Sequence, residues 1–479
     1  MTAPNATVLL RGGTVVTMDA ERRVIADGSV AIAGDRIVAV GRREELDRAW
    51  RATTVIDASG CAVLPGLIDG HAHAGHGLVK TMGGGDSEAW SEACRLIYTS
   101  ASPPAFWRAE AQLAALERLR NGVTLGVSLL GGGDSVMRTD DPAHGAAHCD
   151  GVAEVGIRAI VAVGPTRPPH PWSYVTWDGG ESRIHAVGFE RQVETIAALI
   201  AMWHGGADGR IAIATLMPVH RGETDDPETI REIDRQGRIV RELGRRHGCL
   251  FHQDGHRSGS VAMADALFGL CGPDAFFSHC TDLTEEDIAT LARTGTSVVH
   301  NSSAIAQVRG HCPVPRLIEE GVTVMIGSDG TAPDRGTDLF RHMVMCARVH
   351  QRAARDERLM PPGKLLEMVT IDAARGLGLG DTLGSLEPGK KADVITVDLA
   401  TPHAYPPNMP VHRLVWFARG SDVRDVIVDG RVLMRDRAVP HLDEGAILAE
   451  AAEETEAMLA RSGLGHLIET DPGWGRVRL

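Results

Sequence analysis

The stretch Pro65-Gly66-Leu67-Ile68-Asp69-Gly70-His71-Ala72-His73 constrains this chain more than any other. An apolar run ends in two histidines spaced i, i+2, and residues two apart on a strand point to the same face. His71 and His73 are therefore expected to project together from the end of one strand. Neutral imidazole is the commonest protein ligand for a divalent metal, and two on a rigid strand supply half of a coordination shell. Three later apolar runs end in groups of the same kind. Cys249-Leu250-Phe251-His252 and Ala275-Phe276-Phe277-Ser278-His279 end in imidazoles, and Val322-Thr323-Val324-Met325-Ile326-Gly327-Ser328-Asp329 ends in a carboxylate. Such runs suit strands buried on both faces of a parallel sheet. Barrel enzymes place catalytic groups at the C-terminal ends of strands like these.

Eight candidate strands can be counted, ending near His73, Leu129, Val163, Met217, Asp254, His279, Asn301 and Asp329. They alternate with helical patterns such as residues 190–204 and 227–247, which implies βα units. Eight strands close a (β/α)8 TIM-type barrel, with the polar strand ends at one mouth. Short alternating runs at both ends of the chain, among them Ser29-Val30-Ala31-Ile32 and Val426-Ile427-Val428, are expected to build a small β-sandwich. Asp429-Gly430 is a hairpin signal there. The expected division is a first sandwich part at 1–64, the α/β barrel at 65–382, a second sandwich part at 383–440 and a helical arm at 441–479. The long segment 74–98 with Gly83-Gly84-Gly85, the Gly131-Gly132-Gly133 run and the Pro/Trp-rich 167–178 are expected as loops over the barrel mouth.

Composition excludes several classes. With a net charge of −14 and a pI near 5.8, the chain offers no basic surface for nucleic acid. No run of 18 apolar residues marks a membrane span, and Met1-Thr2-Ala3-Pro4 opens no signal peptide. The eight cysteines are scattered without a CxxC pair, which fits a reducing cytoplasm. Phe and Tyr number only 8 and 3, so stacking on a substrate falls to Trp90, Trp107, Trp172 and Trp177.

The ordered set of motifs resembles the amidohydrolase superfamily, in the branch of triazine hydrolases and cytosine- and guanine-type deaminases. The matching pieces are the Pro65 to His73 run, His252, Ser278-His279-Cys280, Val298-Val299-His300-Asn301-Ser302-Ser303 and Pro313-Val314-Pro315. They continue through Gly327-Ser328-Asp329-Gly330, Leu386-Glu387-Pro388-Gly389-Lys390-Lys391-Ala392-Asp393 and Asp425-Val426-Ile427-Val428-Asp429-Gly430. The resemblance implies a metal held by His71, His73, His252 and Asp329, a donor set suited to Zn(II) or Fe(II). Asp329 would also take the proton from the attacking water, and His279 would orient it or polarise the substrate. Binuclear relatives carry a carboxylated lysine on strand four. Residues 210–218 hold no lysine, so one metal is expected. Relatives of this kind are commonly homodimers or larger.

One departure stands out. Deaminases of this branch place a glutamate three residues after the strand-five histidine, where this chain has Gly255. Asp254 shares a strand face with His252 and is the first candidate for the missing proton donor; His256 is the second. His76, Lys80 and Trp90 on the first rim segment, and His311 beyond strand seven, are candidate substrate contacts. His300 is either a ligand contact or a loop support. The expected activity is metal-dependent hydrolysis of a C–N bond in a small N-heterocycle, with a chlorohydrolase or amide/carbamate hydrolase as the alternative. A catalytically silent relative would have shed metal ligands, and all four are present.

Overall fold

A computed structural model describes residues 5–83, 86–132, 136–178, 180–220, 222, 226–469 and 475. Gly84, Gly85, Gly133 and the first four residues, which entered the rim-loop and leader readings, lie outside the described residues. Eight strands run Leu67–Asp69, Val123–Leu129, Arg158–Val163, Ile211–Leu216, Phe251–Gln253, Ala275–Ser278, Ser297–His300 and Val324–Ile326. They neighbour one another in chain order, every pair parallel. The first and last strands meet through Gly70 N donating to Ile326 O (3.0 Å) and Asp329 N donating to His71 O (2.9 Å), which brings the barrel round on itself. Most of these strands are buried at every position, which is why they read as continuous apolar runs rather than alternating ones.

Strand one stops at Asp69 rather than His73. The pairing with strand two is irregular between Leu67 and Ile68, so the regular ladder is lost early. Leu129 N donating to Ala72 O (2.8 Å) and Ala74 N donating to Leu129 O (2.7 Å) nevertheless hold the histidine segment extended against strand two. The two imidazoles therefore still converge. Gly327 permits the closing approach: a Cβ there would lie 2.4 Å from Asn301 Oδ1 and 2.9 Å from the His71 backbone nitrogen.

Both chain ends contribute to a second eight-stranded sheet. Asn5–Val16, Val24–Ala33, Arg36–Arg42, Arg51–Asp57 and Cys61–Pro65 come from the first part, and Val394–Asp398, Val423–Val428 and Arg431–Met434 from the last. Cys61–Pro65 joins the halves, parallel to Asn5–Val16 and antiparallel to Val394–Asp398. Asp429 and Gly430 both take positive φ (54° and 73°) between the last two strands, as a two-residue primed turn requires. The Lys-Ala-Asp run clamps this sheet to the barrel. Arg158, which begins strand three, donates to Asp393 (2.9 Å) and Asp429 (2.9 Å), and Lys391 also donates to Asp429 (2.8 Å).

The expected loop at 74–98 is largely helical, with His76–Leu78, Ser87–Leu96 and Ile97–Ala101 in helical turns. The 167–178 segment ends in a strand, Trp172–Asp178, paired antiparallel with Glu181–Val187. Among the described residues no helix is long and apolar enough to cross a membrane.

Asp69 is fully buried and links three parts of the barrel. Its Oδ2 accepts from Arg118 Nη2 (3.0 Å) on the helix Pro104–Arg120 and from Ser328 Oγ (2.8 Å); its Oδ1 accepts from Ser328 N (2.8 Å). Arg118 in turn donates to Ser128 Oγ (2.9 Å) on strand two. This pair fixes strand one against the segment that carries Asp329. Removing one partner of a buried ion pair strands the other charge, at about 3–5 kcal/mol. Asp69→Ala is therefore expected to lower unfolding free energy by about 3 kcal/mol or more in urea titration. A loss under about 1 kcal/mol would mean that the barrel closes without this network.

Candidate active site

Six side chains from four strand ends converge at the barrel mouth. His71 and His73 follow strand one, His252 and Asp254 belong to strand five and its end, His279 follows strand six, and Asp329 follows strand eight. All are at most 8 % exposed. His71 Nε2 lies 3.3 Å from an oxygen of Asp254 and 3.3 Å from an oxygen of Asp329. His73 Nε2 lies 3.2 Å from Asp329 and 3.6 Å from Asp254. His279 Nε2 lies 3.2 Å from Asp254 and 3.6 Å from Asp329. His252 Nε2 is 3.1 Å from His71 Nδ1. His279 and Asp329 hold positive φ (65° and 60°), uncommon for non-glycine residues and concentrated at functional sites.

The imidazoles are held from behind. His73 Nδ1 meets Gly131 O at 3.0 Å and His252 Nδ1 meets Phe276 O at 2.8 Å. Each outer nitrogen must therefore be the donor, which turns the Nε2 lone pair inward, the arrangement seen around metal-ligating histidines. His252 also stacks on Phe276 at 4.3 Å. Among the described residues His71 Nε2 is buried without an aligned hydrogen-bond partner, although two carboxylates face it. Ligand atoms of His71, His73 and Asp329, and likewise of His71, His252 and Asp254, lie within 4.8 Å of one another. Lone pairs converging in a buried space are what a divalent cation satisfies, so the donor set fits a metal of the zinc or iron type.

Electrostatics point the same way. Burial opposes ionisation of Asp254, but His71, His279 and His73 hold its carboxyl well below the usual range. Burial likewise opposes ionisation of Asp329, and Arg335 and His279 overcome it. Burial keeps His71 below its ordinary value and His252 far below it. For His73 and His279 the same burial is outweighed by Asp329 and Asp254, and both are raised. The site thus pairs ionised carboxylates with neutral rings at His71 and His252.

The other sequence candidates divide. His76 is brought in: its ring stacks on His73 with centroids 4.6 Å apart, and Trp90 lies edge-on to it at 5.3 Å. Lys80 is engaged elsewhere, donating to Glu117 Oε2 at 2.5 Å. His256 is turned aside, because Gly255 takes φ 92° and bends the chain. Its nitrogens meet Ser260 Oγ (2.9 Å) and Gln253 Oε1 (3.3 Å), and its ring stacks on Phe277. His300 meets His350 at 3.3 Å, and His311 also packs on His350, 5.1 Å between centroids. Among the described residues no hydrogen bond or ring stacking joins either ring to the six-residue cluster. Trp107 is fully buried in the core and donates to Ser102 O.

Three contributors were not singled out from sequence. Arg335 reaches Asp329 Oδ2 at 3.4 Å from a loop whose spacing carries no signal. Ser278 Oγ donates to Asp254 Oδ1. Asn301 Nδ2 faces His279 Nε2 at 3.5 Å. The period-2 rule could have found Asn301: Val299 sits beside Gly70 inside the barrel, so Asn301 shares that face and His300 does not.

Comparison with known proteins agrees with this geometry. The model of the "Amidohydrolase family" matches residues 62–433. A 5-methylthioadenosine/S-adenosylhomocysteine deaminase from Syntrophobacter fumaroxidans is 32 % identical over 91 % of this chain and 95 % of its own. A 5'-deoxyadenosine deaminase from Methanosarcina mazei is 30 % identical over 95 % and 99 %. Among solved structures, an adenosine deaminase from Xanthomonas campestris with bound zinc superposes with a TM-score of 0.80 at 24 % identity, covering 96 % of this chain and 100 % of that one. An atrazine chlorohydrolase from Arthrobacter aurescens complexed with zinc gives 0.75 at 23 %, covering 94 % and 100 %. The chain belongs to the amidohydrolase family and is a metal-dependent hydrolase of carbon–nitrogen bonds.

Proposed function

We propose that this enzyme deaminates the purine ring of an adenosine-type nucleoside, using water and one divalent metal, zinc, held by His71, His73, His252 and Asp329. The observation that carries the reading is the second carboxylate. Asp254 sits 3.2 Å from His279 and 3.3 Å from His71, so the cluster holds one carboxylate beyond the proposed ligand set. Ring deamination needs that extra group, because the ring nitrogen must be protonated before ammonia can leave. The nucleoside class is supported by near-full-length similarity to deaminases named for 5-methylthioadenosine, S-adenosylhomocysteine and 5'-deoxyadenosine. The likeness to the triazine hydrolases is a likeness of fold.

When bound, zinc would supply Lewis acidity, bringing the ionisation of a water down to about 7. Asp329, ionised at rest, accepts a proton from the attacking water. His279 Nε2 lies within 3.6 Å of both carboxylates, giving that proton a path to Asp254. Asp254 passes it to the ring nitrogen, and His279 donates to the oxygen as charge develops on it. A C–O bond forms and the exocyclic C–N bond breaks. Asp329, emptied by that relay, takes the second proton from the new hydroxyl and returns it to the departing amine, so both protons of the water end on substrate nitrogens, one on the ring and one on the ammonia. Trp90, half-buried against His76 beside His73, offers aromatic surface to the base.

Ammonia release should be measured for adenosine, 5'-methylthioadenosine, 5'-deoxyadenosine, S-adenosylhomocysteine, guanine and a chlorotriazine. Turnover of at least one adenosine-type nucleoside well above the others is expected; activity confined to the triazine or to guanine would overturn the nucleoside assignment. His73→Ala and His252→Ala should each lose metal and activity together, read by elemental analysis and kcat. Stoichiometric metal with near-normal kcat in either variant would remove that residue from the ligand set. Asp254→Asn should keep its metal and lose about 10²–10⁴-fold in kcat for ammonia release, whereas His256→Gln should stay within about threefold. Loss of metal in Asp254→Asn would make Asp254 a ligand instead of a proton carrier.

A further inference from the structure

A second cluster of metal-binding groups lies outside the barrel mouth. His300 closes strand seven on the face turned away from the barrel interior. Cys346 and His350 sit one turn apart on the helix Leu339–Ala354, at the i, i+4 spacing that aligns side chains on one face. Their ligand atoms lie within 4.8 Å of one another, and none of the three is more than 1 % exposed. His300 Nε2 and His350 Nε2 are 3.3 Å apart. That is long for an N–H···N bond, and it is the separation of two nitrogens bound about 2.0–2.1 Å from one tetrahedral ion.

We propose that His300, Cys346 and His350 form a second metal site, for a borderline-soft divalent ion such as Zn(II), with His311 as its fourth donor. One thiolate and imidazoles in a closed, buried setting are the donors of structural zinc sites. His311, in the loop between the helices Ile305–Arg309 and Val314–Glu319, packs 5.1 Å from the His350 ring. A surface cavity of about 630 Å³, lined by His311, His350, Pro313 and Leu359 among others, gives the ion a way in. Burial keeps His300 far below its ordinary value and brings His350 down to about 4, so both rings offer lone pairs at neutral pH. Binding displaces one proton from the Cys346 thiol to solvent and changes no oxidation state. The ion would tie strand seven and the loop beyond it to the helix Leu339–Ala354. Asn301, the next residue along, faces His279, so the site braces the catalytic cluster from behind.

The barrel-mouth donors include no cysteine, and this separates the two sites spectroscopically. The full-length enzyme, stripped with a chelator and reloaded with cobalt(II), should show thiolate-to-cobalt charge-transfer absorption in the near ultraviolet. Zinc-loaded enzyme should hold two equivalents per chain. Cys346→Ser should lose the band and one equivalent of zinc, whereas His73→Ala should keep the band and lose the other equivalent. Cys312→Ser, at a neighbouring buried thiol, should keep both. Wild-type enzyme with no thiolate band would overturn the proposal without recourse to any variant, and so would a band that vanishes in Cys312→Ser and survives in Cys346→Ser.

Discussion

Asp254 and Asp329 each bring a carboxylate oxygen to 3.3 Å from the same buried nitrogen of His71. Two anions beside one neutral ring in a largely buried space are expensive unless cations join them. The rest of the barrel mouth is arranged around that requirement. Backbone carbonyls at Gly131 and Phe276 turn His73 and His252 inward, and Arg335 supplies a cation on the outer side of Asp329. The Asp69–Arg118–Ser328 network lies directly beneath and fixes the separation of the first and last strands. Stability and chemistry therefore meet in one short stretch: Asp69 holds the barrel shut two residues before His71 enters the site.

Much of this was legible in the amino-acid sequence, for physical reasons. Strands buried on both faces can be written only as apolar runs, so the polar residue that ends each run is conspicuous; His252, His279 and Asp329 stood out in this way. The single-residue alternation of a strand also put Asp254 on the face of His252 and sent Gln253 the other way, where it donates to Pro218 O. On strand seven the same rule favours Asn301 over His300. Groups that arrive from loops left no trace. Arg335 is six residues beyond Asp329, with nothing in its spacing to mark it, and the bend that removes His256 depends on the positive φ of Gly255. Lys80 illustrates another limit: a lone cation on a rim segment cannot be assigned until its partner Glu117, 37 residues away, is known.

Where the resemblance led to the expectation of a glutamate this chain has Gly255, and its extra carboxylate, Asp254, lies one residue closer to strand five. Asp254 is shorter than glutamate and follows the strand directly, so it reaches into the histidine cluster rather than over it. In the proposed reaction that position lets it relay a proton between His279 and a bound ring, and it also brings it near enough to compete for a metal. The balance is set by what already neutralises Asp254: the Ser278 hydroxyl and the His279 ring both engage the same oxygen, leaving that atom less available as a ligand than the oxygens of Asp329.

The central claim is that one ion sits among His71, His73, His252 and Asp329 at the mouth of the barrel. Anomalous diffraction at the zinc absorption edge, from crystals of the zinc-loaded enzyme, tests it directly. The account predicts a single anomalous peak in the barrel mouth, within bonding distance of those four side chains and out of bonding distance of Asp254. No peak at the mouth, or two peaks there bridged by Asp254, would contradict it.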